Sequence, residues 1–220
     1  MRSAALRVAG GAALVAGAAA AAYPVPLRQW CLTWGARCDE VRRELPGDEL
    51  LLEPDITSTR AVTIDAPPSA VFPWLVQMGT GRGGAYTYDW IENLLGLDMH
   101  SADRILPEFQ HLQVGDVLPL GPSGPGMRAE VLEPDRALVF RSEDGNWVWS
   151  FVLVPEDGGT RLISRNRIAT PRVNGATRLF NRVVMEPGSL IMERKMLLGI
   201  RRRAEALAPA GRCRSLVRPG

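Results

Sequence analysis

The sequence predicts an α+β domain: an antiparallel sheet with two short helices before most of its strands and one long helix laid over it from the C-terminal end. Three observations carry this. Thr63 to Trp90 reads in turn as strand, prolines, short apolar helix, glycine bend and aromatic group. Strand-like segments at Asp116–Leu120, Met127–Leu132, Ala137–Arg141, Trp147–Val154 and Thr160–Ile168 then follow, parted by Gly, Pro and Asp clusters at antiparallel spacing. Finally Leu190, Met196, Leu197, Ile200, Ala204 and Leu207 fall on one arc of a helical wheel, with Arg194, Arg201, Arg202 and Glu205 opposite.

The elements are taken in order. Met1 to Tyr23 has Arg2 and Arg7 and then no charge from Val8 to Tyr23, a positive start followed by an Ala- and Gly-rich apolar run. That pattern fits a signal peptide cut after small residues such as Ala18–Ala20 or Ala20–Ala22. It fits a membrane anchor equally, because Val8 to Leu27 is about the length of a bilayer span. Either way the protein is expected to be anchored in, or exported through, a bacterial cytoplasmic membrane. Arg residues flank both sides, so orientation is open.

Residues 24–44 read as a connector with an amphipathic helix whose apolar points are Trp30, Trp34 and Val41, running on to Leu45, and the role expected of it is packing across the outside of the sheet. Cys31 and Cys38 lie seven positions apart. On one continuous helix that is about 10 Å, beyond the roughly 7 Å Cα limit of a disulfide, so free thiols are expected. Gly47–Thr59 reads as a loop and Arg60–Ile64 as the first strand. Pro68 suits the first turn of a helix, since its ring presets φ and it has no N–H to leave unpaired. Val71, Trp74, Leu75 and Met78 follow at helical spacing, and Gly79, Gly81, Gly83 and Gly84 permit a bend. Tyr88–Leu95 reads as a second helix and Leu97–Gln113 as irregular. The C-terminal helix is expected to begin near Ala176, break at Glu186-Pro187-Gly188 and resume from Ser189 to Leu207. Residues 208–220 lack periodicity and read as a disordered tail.

The formal charge of +2 is nearly balanced and excludes a broad cationic field for nucleic acid. Lys195 is the one lysine among 26 basic residues, which suits a GC-rich coding sequence. Gly79 to Gly84 follows a helix instead of joining strand to helix, so it is no dinucleotide fingerprint, and without Gly-Lys-Ser/Thr it is no phosphate loop. No motif calls for a cofactor, and no Gly-x-Ser-x-Gly elbow is present. Asp98, His100, Asp103, Glu108 and His111 cluster in the irregular segment, but they lack the spacing of a metal site. Roles at a pocket rim, with Arg82, or in tying down the loop suit them better.

The run I-D-A-P-P-x-x-V-F-P-W-L from Ile64 to Leu75 resembles the START, polyketide-cyclase and birch-pollen-allergen superfamily (SRPBCC), whose members share a helix-grip fold. V-Q-M-G-x-G-R-G-G-x-Y-x-Y-D from Val76 to Asp89, and W-G-A-x-x-x-E-V-x-x-x-L-P-G-D-E-L from Trp34 to Leu50, resemble a poorly characterised bacterial subgroup. The likeness covers roughly residues 45–207. It implies a curved sheet gripping the long helix, with a space between them for a hydrophobic small molecule or lipid, and the protein is separately expected to act as a monomer. Trp74, Met78, Tyr86, Tyr88, Trp147, Trp149, Phe151, Met192, Glu193 and Met196 are the candidate lining, where aromatic rings supply area and Met adaptability. A plain filled core explains any single one of them better than a pocket does, and the set as a whole about as well.

Glu193 falls inside the apolar arc, where a carboxylate must be paired or have a raised pKa. It is a candidate ligand anchor or acid/base, with His100 the other candidate if the domain is a cyclase- or dehydratase-like enzyme. Its plainer role is an ion pair with an Arg of the sheet, such as Arg165 or Arg167. Those two share a strand face with Arg161 and Ile163, while Leu162, Ser164, Asn166 and Ile168 make the better inner face, so the arginines are expected outside as ordinary surface charge. A domain that binds another protein through the pocket rim is the remaining expectation.

Overall fold

In a computed structural model, the structure describes residues 25–94, 96–121, 126–171 and 173–207. The expected targeting segment, Leu95, most of the loop at 121–126 and the C-terminal tail with Cys213 lie outside the described residues. Among those described, no helix is long and apolar enough to cross a membrane.

The elements run α1 (Val25–Leu32), α2 (Cys38–Arg42), β1 (Ile56–Ile64), α3 (Pro68–Val76), α4 (Asp89–Leu94), β2 (Val117–Pro119), β3 (Gly126–Glu133), β4 (Ala137–Ser142), β5 (Trp147–Glu156), β6 (Gly159–Ile168), α5 (Gly175–Phe180) and α6 (Glu186–Leu207). Strands form one antiparallel sheet in the order β1-β6-β5-β4-β3-β2. The helices α3 and α4 sit in the connection that lets β1 pair with the last strand while β2 lies at the far edge.

β1 starts four residues earlier than Arg60. Thr57 and Thr59 are β-branched and suit a strand, but Ser58 and Arg60 gave that half no apolar face to read. Ser58, Thr59 and Arg60 are buried instead, with Thr59 and Arg60 paired through their side chains.

Side chains alternate between two buried faces. On the inner face Val62, Ile64, Phe151, Leu153 and Leu162 join Trp74, Leu75, Leu197 and Ile200 in the main core. On the outer face Ala61, Val152 and Ile163 pack under Leu45. Residues 35–51 cover that outer face closely. Gly47, at φ 94°, comes so near that a Cβ there would lie 2.6 Å from Val139 Cγ1.

The cover corrects the expectation for the arginines. Arg161 and Arg165 do point away from the core, yet they are buried, not surface charge. Arg161 grips Glu40 with Nε and Nη2 at 2.8 and 2.9 Å. Arg165 donates to the carbonyls of Glu40, Val41 and Arg43, to Thr59 Oγ1 and to Asp48. Arg167 reaches the Leu51 carbonyl at 2.9 Å. Here guanidinium groups with five donors each act as the glue between sheet and cover.

Two further expectations change. The connector is not one helix: α1 ends at Leu32 and α2 begins at Cys38, with Trp30 exposed, while Cys31 and Cys38 are free thiols as expected. The C-terminal helix does not break at Pro187. It runs on from α5 through a π-turn at Asn181–Met185, in which the Glu186 N–H reaches back five residues to Asn181 O. The wider turn just upstream lets the chain pass a proline that has no N–H to give. α6 then crosses the inner face against β1 and α3, with α1 on its flank.

Candidate functional site: the open end of the sheet

The register of β1, β6 and β5 sets inner-face residues in rows. Val62, Leu162 and Leu153 form an apolar row deep under α6. The next row is Arg60, Ser164 and Phe151, and beyond it come Ser58, Asn166 and Trp149. The last row, Ile56, Ile168 and Trp147, is only half-buried. Burial thus fades toward one end of the sheet, and the chemistry splits across it. β1 and β6 contribute polar groups, while β5 contributes an aromatic ladder.

That ladder is ordered. Trp147 and Trp149 stack with ring centroids 5.6 Å apart at 20°, and Trp149 meets Phe151 at 4.8 Å. Each indole N–H is fixed by β6: Trp147 Nε1 donates to Asn166 Oδ1 at 2.8 Å, and Trp149 Nε1 to Ser164 Oγ at 2.9 Å. The rings present apolar faces at the open end, with their only donors already spent.

Above the polar half lies Glu193 of α6, 7% exposed, in an ion pair with the fully buried Arg60. Arg60 also donates through Nε to Cys31 O and through Nη2 to Ser189 Oγ, both at 3.0 Å, so it ties β1 to α1 and α6 together. Glu193 Oε2 accepts from Arg60 and, at 3.2 Å, from Asn166 Nδ2. The other oxygen, Oε1, is buried without a hydrogen bond of ordinary geometry, and the Ser164 hydroxyl is near enough to favour the ionised form. Burial pushes the Glu193 carboxyl above its ordinary range, and Arg60 pulls it part of the way back.

Next to the last row a cleft of about 230 Å³ opens between the sheet and the π-turn. Ile56 and Thr170 form its floor, with Arg178, Asn181 and Arg182 above, and the bidentate Arg28–Glu186 pair closes one side.

No family model matches the chain, and no curated protein matches it. Solved structures do resemble it. The KanY protein is 16% identical, with 68% of this chain and 97% of that one covered at a TM-score of 0.45. Protein MLL2253 from Mesorhizobium loti is 15% identical, covering 69% and 98% at 0.42. The polyketide-cyclase-like protein Cgl2372 from Corynebacterium glutamicum is 20% identical, covering 68% and 91% at 0.36. One long helix lies across the inner face of a six-stranded antiparallel sheet in the order β1-β6-β5-β4-β3-β2. The fold is a helix-grip.

The grip disperses the residues singled out from sequence. Trp74, Met78, Tyr86, Phe151 and Met196 are all buried in the main core. Trp74 and Tyr86 meet edge to face at 5.8 Å, and the Tyr86 hydroxyl, its pKa raised by burial, donates to Trp74 O at 2.9 Å. Trp147 and Trp149 stack at the open end, and Asn166 links Trp147 to Glu193, with Met192 half-buried on α6. Tyr88 does not join them. It sits 5.4 Å under Lys195 and lines a different cleft of about 350 Å³, with Asp103, Arg202 and Arg203.

His100 is exposed, 3.2 Å from Asp98, and has no contact with Glu193. Asp103 pairs with Arg203, not Arg82. Arg82 caps the Val76 and Phe109 carbonyls and covers the Phe109 ring. Glu193 pairs with Arg60 where Arg165 or Arg167 was expected. Arg60 was readable: it shares strand parity with Val62 and Ile64, which places it on the core face. Arg178 and Arg182, spaced i, i+4 on the helix, carried the signal of a shared face.

Proposed function

We propose that the open end of the grip binds a hydrophobic small molecule or lipid without covalent chemistry. One observation carries this reading: an ordered pair of half-buried indoles is bonded to Asn166 and Ser164, the polar groups that lead to Glu193, whose Oε1 is buried without a hydrogen bond of ordinary geometry. Apolar surface laid on the indole faces leaves water, at roughly 25 cal/mol per Å². A hydroxyl or amine on the ligand would satisfy Glu193 Oε1, an atom whose burial without a partner is costly. A cyclase- or dehydratase-like reaction would need a proton donor and an acceptor within reach of one substrate. The two candidates, Glu193 and His100, occupy separate parts of the molecule, which favours binding over turnover.

Native mass spectrometry of the purified protein should show a retained small molecule that organic solvent removes. Adding it back should change the tryptophan fluorescence of the wild type and leave that of Trp147→Ala nearly unchanged. A ligand-free spectrum together with no response to lipid would end the proposal.

We also propose that the domain works at a membrane, because the uncharged run from Val8 to Tyr23 precedes it in the sequence. In cell fractionation the full chain should sediment with membranes and a chain beginning at Val25 should not. Equal partition of the two would remove the membrane role.

A further inference from the structure

The cleft at the π-turn adds a chemical requirement to the ligand. It brings together the guanidinium groups of Arg28, Arg178 and Arg182 with two carboxylates, Asp55 and Glu186. Both carboxylates are already engaged. Glu186 accepts from Arg28 at both oxygens, at 2.8 and 2.7 Å. Asp55 Oδ2 accepts from the Thr170 N–H at 2.6 Å and its hydroxyl at 2.8 Å. The side chains of Arg178 and Arg182 make no hydrogen bond or ion pair among the described residues; Arg178 acts on Asp55 only through its charge. They sit one turn apart on the helical segment above the cleft, and the Asn181 side chain lines the same space.

The register places this cleft beside the aromatic wall. Ile56, on the cleft floor, pairs with Ile168, which pairs with Trp147. Two strand spacings separate the ends of that row, about 10 Å, a path lined by isoleucine and indole. An apolar tail over Trp147 and an anionic head under Arg178 and Arg182 would therefore belong to one molecule.

We propose that the cleft holds the anionic head, a carboxylate or phosphate, of an amphiphile whose tail lies on the Trp147–Trp149 wall. This rests on the ligand-binding reading above and names the class of ligand. Planar guanidinium groups suit such heads because they donate paired hydrogen bonds to two oxygens.

The test is calorimetry and tryptophan fluorescence on the full chain with oleate, uncharged monoolein, lysophosphatidate and inorganic phosphate, using wild type, Arg178→Gln/Arg182→Gln and Arg178→Lys/Arg182→Lys. Wild type should bind oleate at least tenfold tighter than monoolein, with the advantage shrinking as salt rises. The Gln pair should erase the preference by weakening oleate far more than monoolein, and the Lys pair should restore part of it. A preference that survives in the Gln pair, or is absent from wild type, overturns the head-group assignment while the binding reading stands. Inorganic phosphate binding as tightly as lysophosphatidate overturns the amphiphile and leaves a free-anion site. No response to either uncharged or charged lipid sinks the binding reading itself.

Discussion

Arg60 shows how one residue can organise a polar layer inside an apolar fold. Its guanidinium is fully buried and spends its donors on α1, on Ser189 and on Glu193, so it is structural and also sets the site's electrostatics. Removing one partner of such a pair strands the other. Arg60→Ala should lower unfolding stability by about 3–5 kcal/mol in urea titration, while Arg60→Met with Glu193→Leu should recover much of it. A loss from the single variant no larger than that of a surface change would contradict this.

Two carboxylates bend the pH profile in opposite senses. Burial pushes the Glu40 carboxyl up, but its hydrogen bonds from Arg161 and the Arg37 N–H outweigh this and hold it below the ordinary range. Its contribution is complete above the ordinary Glu value, about 4.3, and is lost as pH falls through the depressed folded value. For Glu193 the folded value is raised, so its contribution is present at low pH and falls as pH rises through that value. Acid titration of stability should therefore show a steeper low-pH loss in wild type than in Glu40→Gln; parallel curves would remove Glu40 from the account.

At the level of elements, the rod across the sheet depends on a close approach that only a missing side chain allows. A Cβ on Gly199 would lie 2.7 Å from Tyr86 O, a backbone atom held in a left-handed turn at φ 58°. Gly199→Ala should cost about 1–3 kcal/mol by overpacking, seen as a lower melting temperature, and Gly199→Val should cost more. Unchanged melting of both would mean that α6 is free to shift. The π-turn matters for a different reason. Proline at position 187 is an ordinary signal to end a helix, and the sequence therefore reads as a break. The chain instead widens the preceding turn and continues, which carries Arg178 and Arg182 over the cleft beside Ile56. A local rule about proline gave the wrong outcome because the neighbouring turn had another way to satisfy its N–H and C=O groups.

For the molecule as a whole, the grip is a three-layer object: α6 and α3 inside, the sheet, and the cover of residues 35–51 outside. The cover starts before the first strand: Glu40 and Leu45 are buried against β6 and its neighbours, as expected of a connector packing across the outside of the sheet. A chain beginning at Val25 should fold cooperatively. One beginning at Leu52 should be insoluble, since it uncovers Ala61, Val152 and Ile163 and strips Arg161 and Arg165 of their partners. Soluble, two-state folding of the shorter chain would show that the cover is dispensable. Periodicity in the sequence was enough to determine the strands from Met127 to Ile168, the helix on Leu197 and Ile200, and the α+β class, because alternation and helical spacing are local properties of the chain. Which polar residues are buried, which arginine meets Glu193, and which of the aromatic residues stay at an open rim were decided only when the register aligned Trp147 with Ile168 and Ile56. Those facts depend on residues far apart in the chain meeting across strands and on a cover that comes from before the sheet, and no window along the sequence contains them.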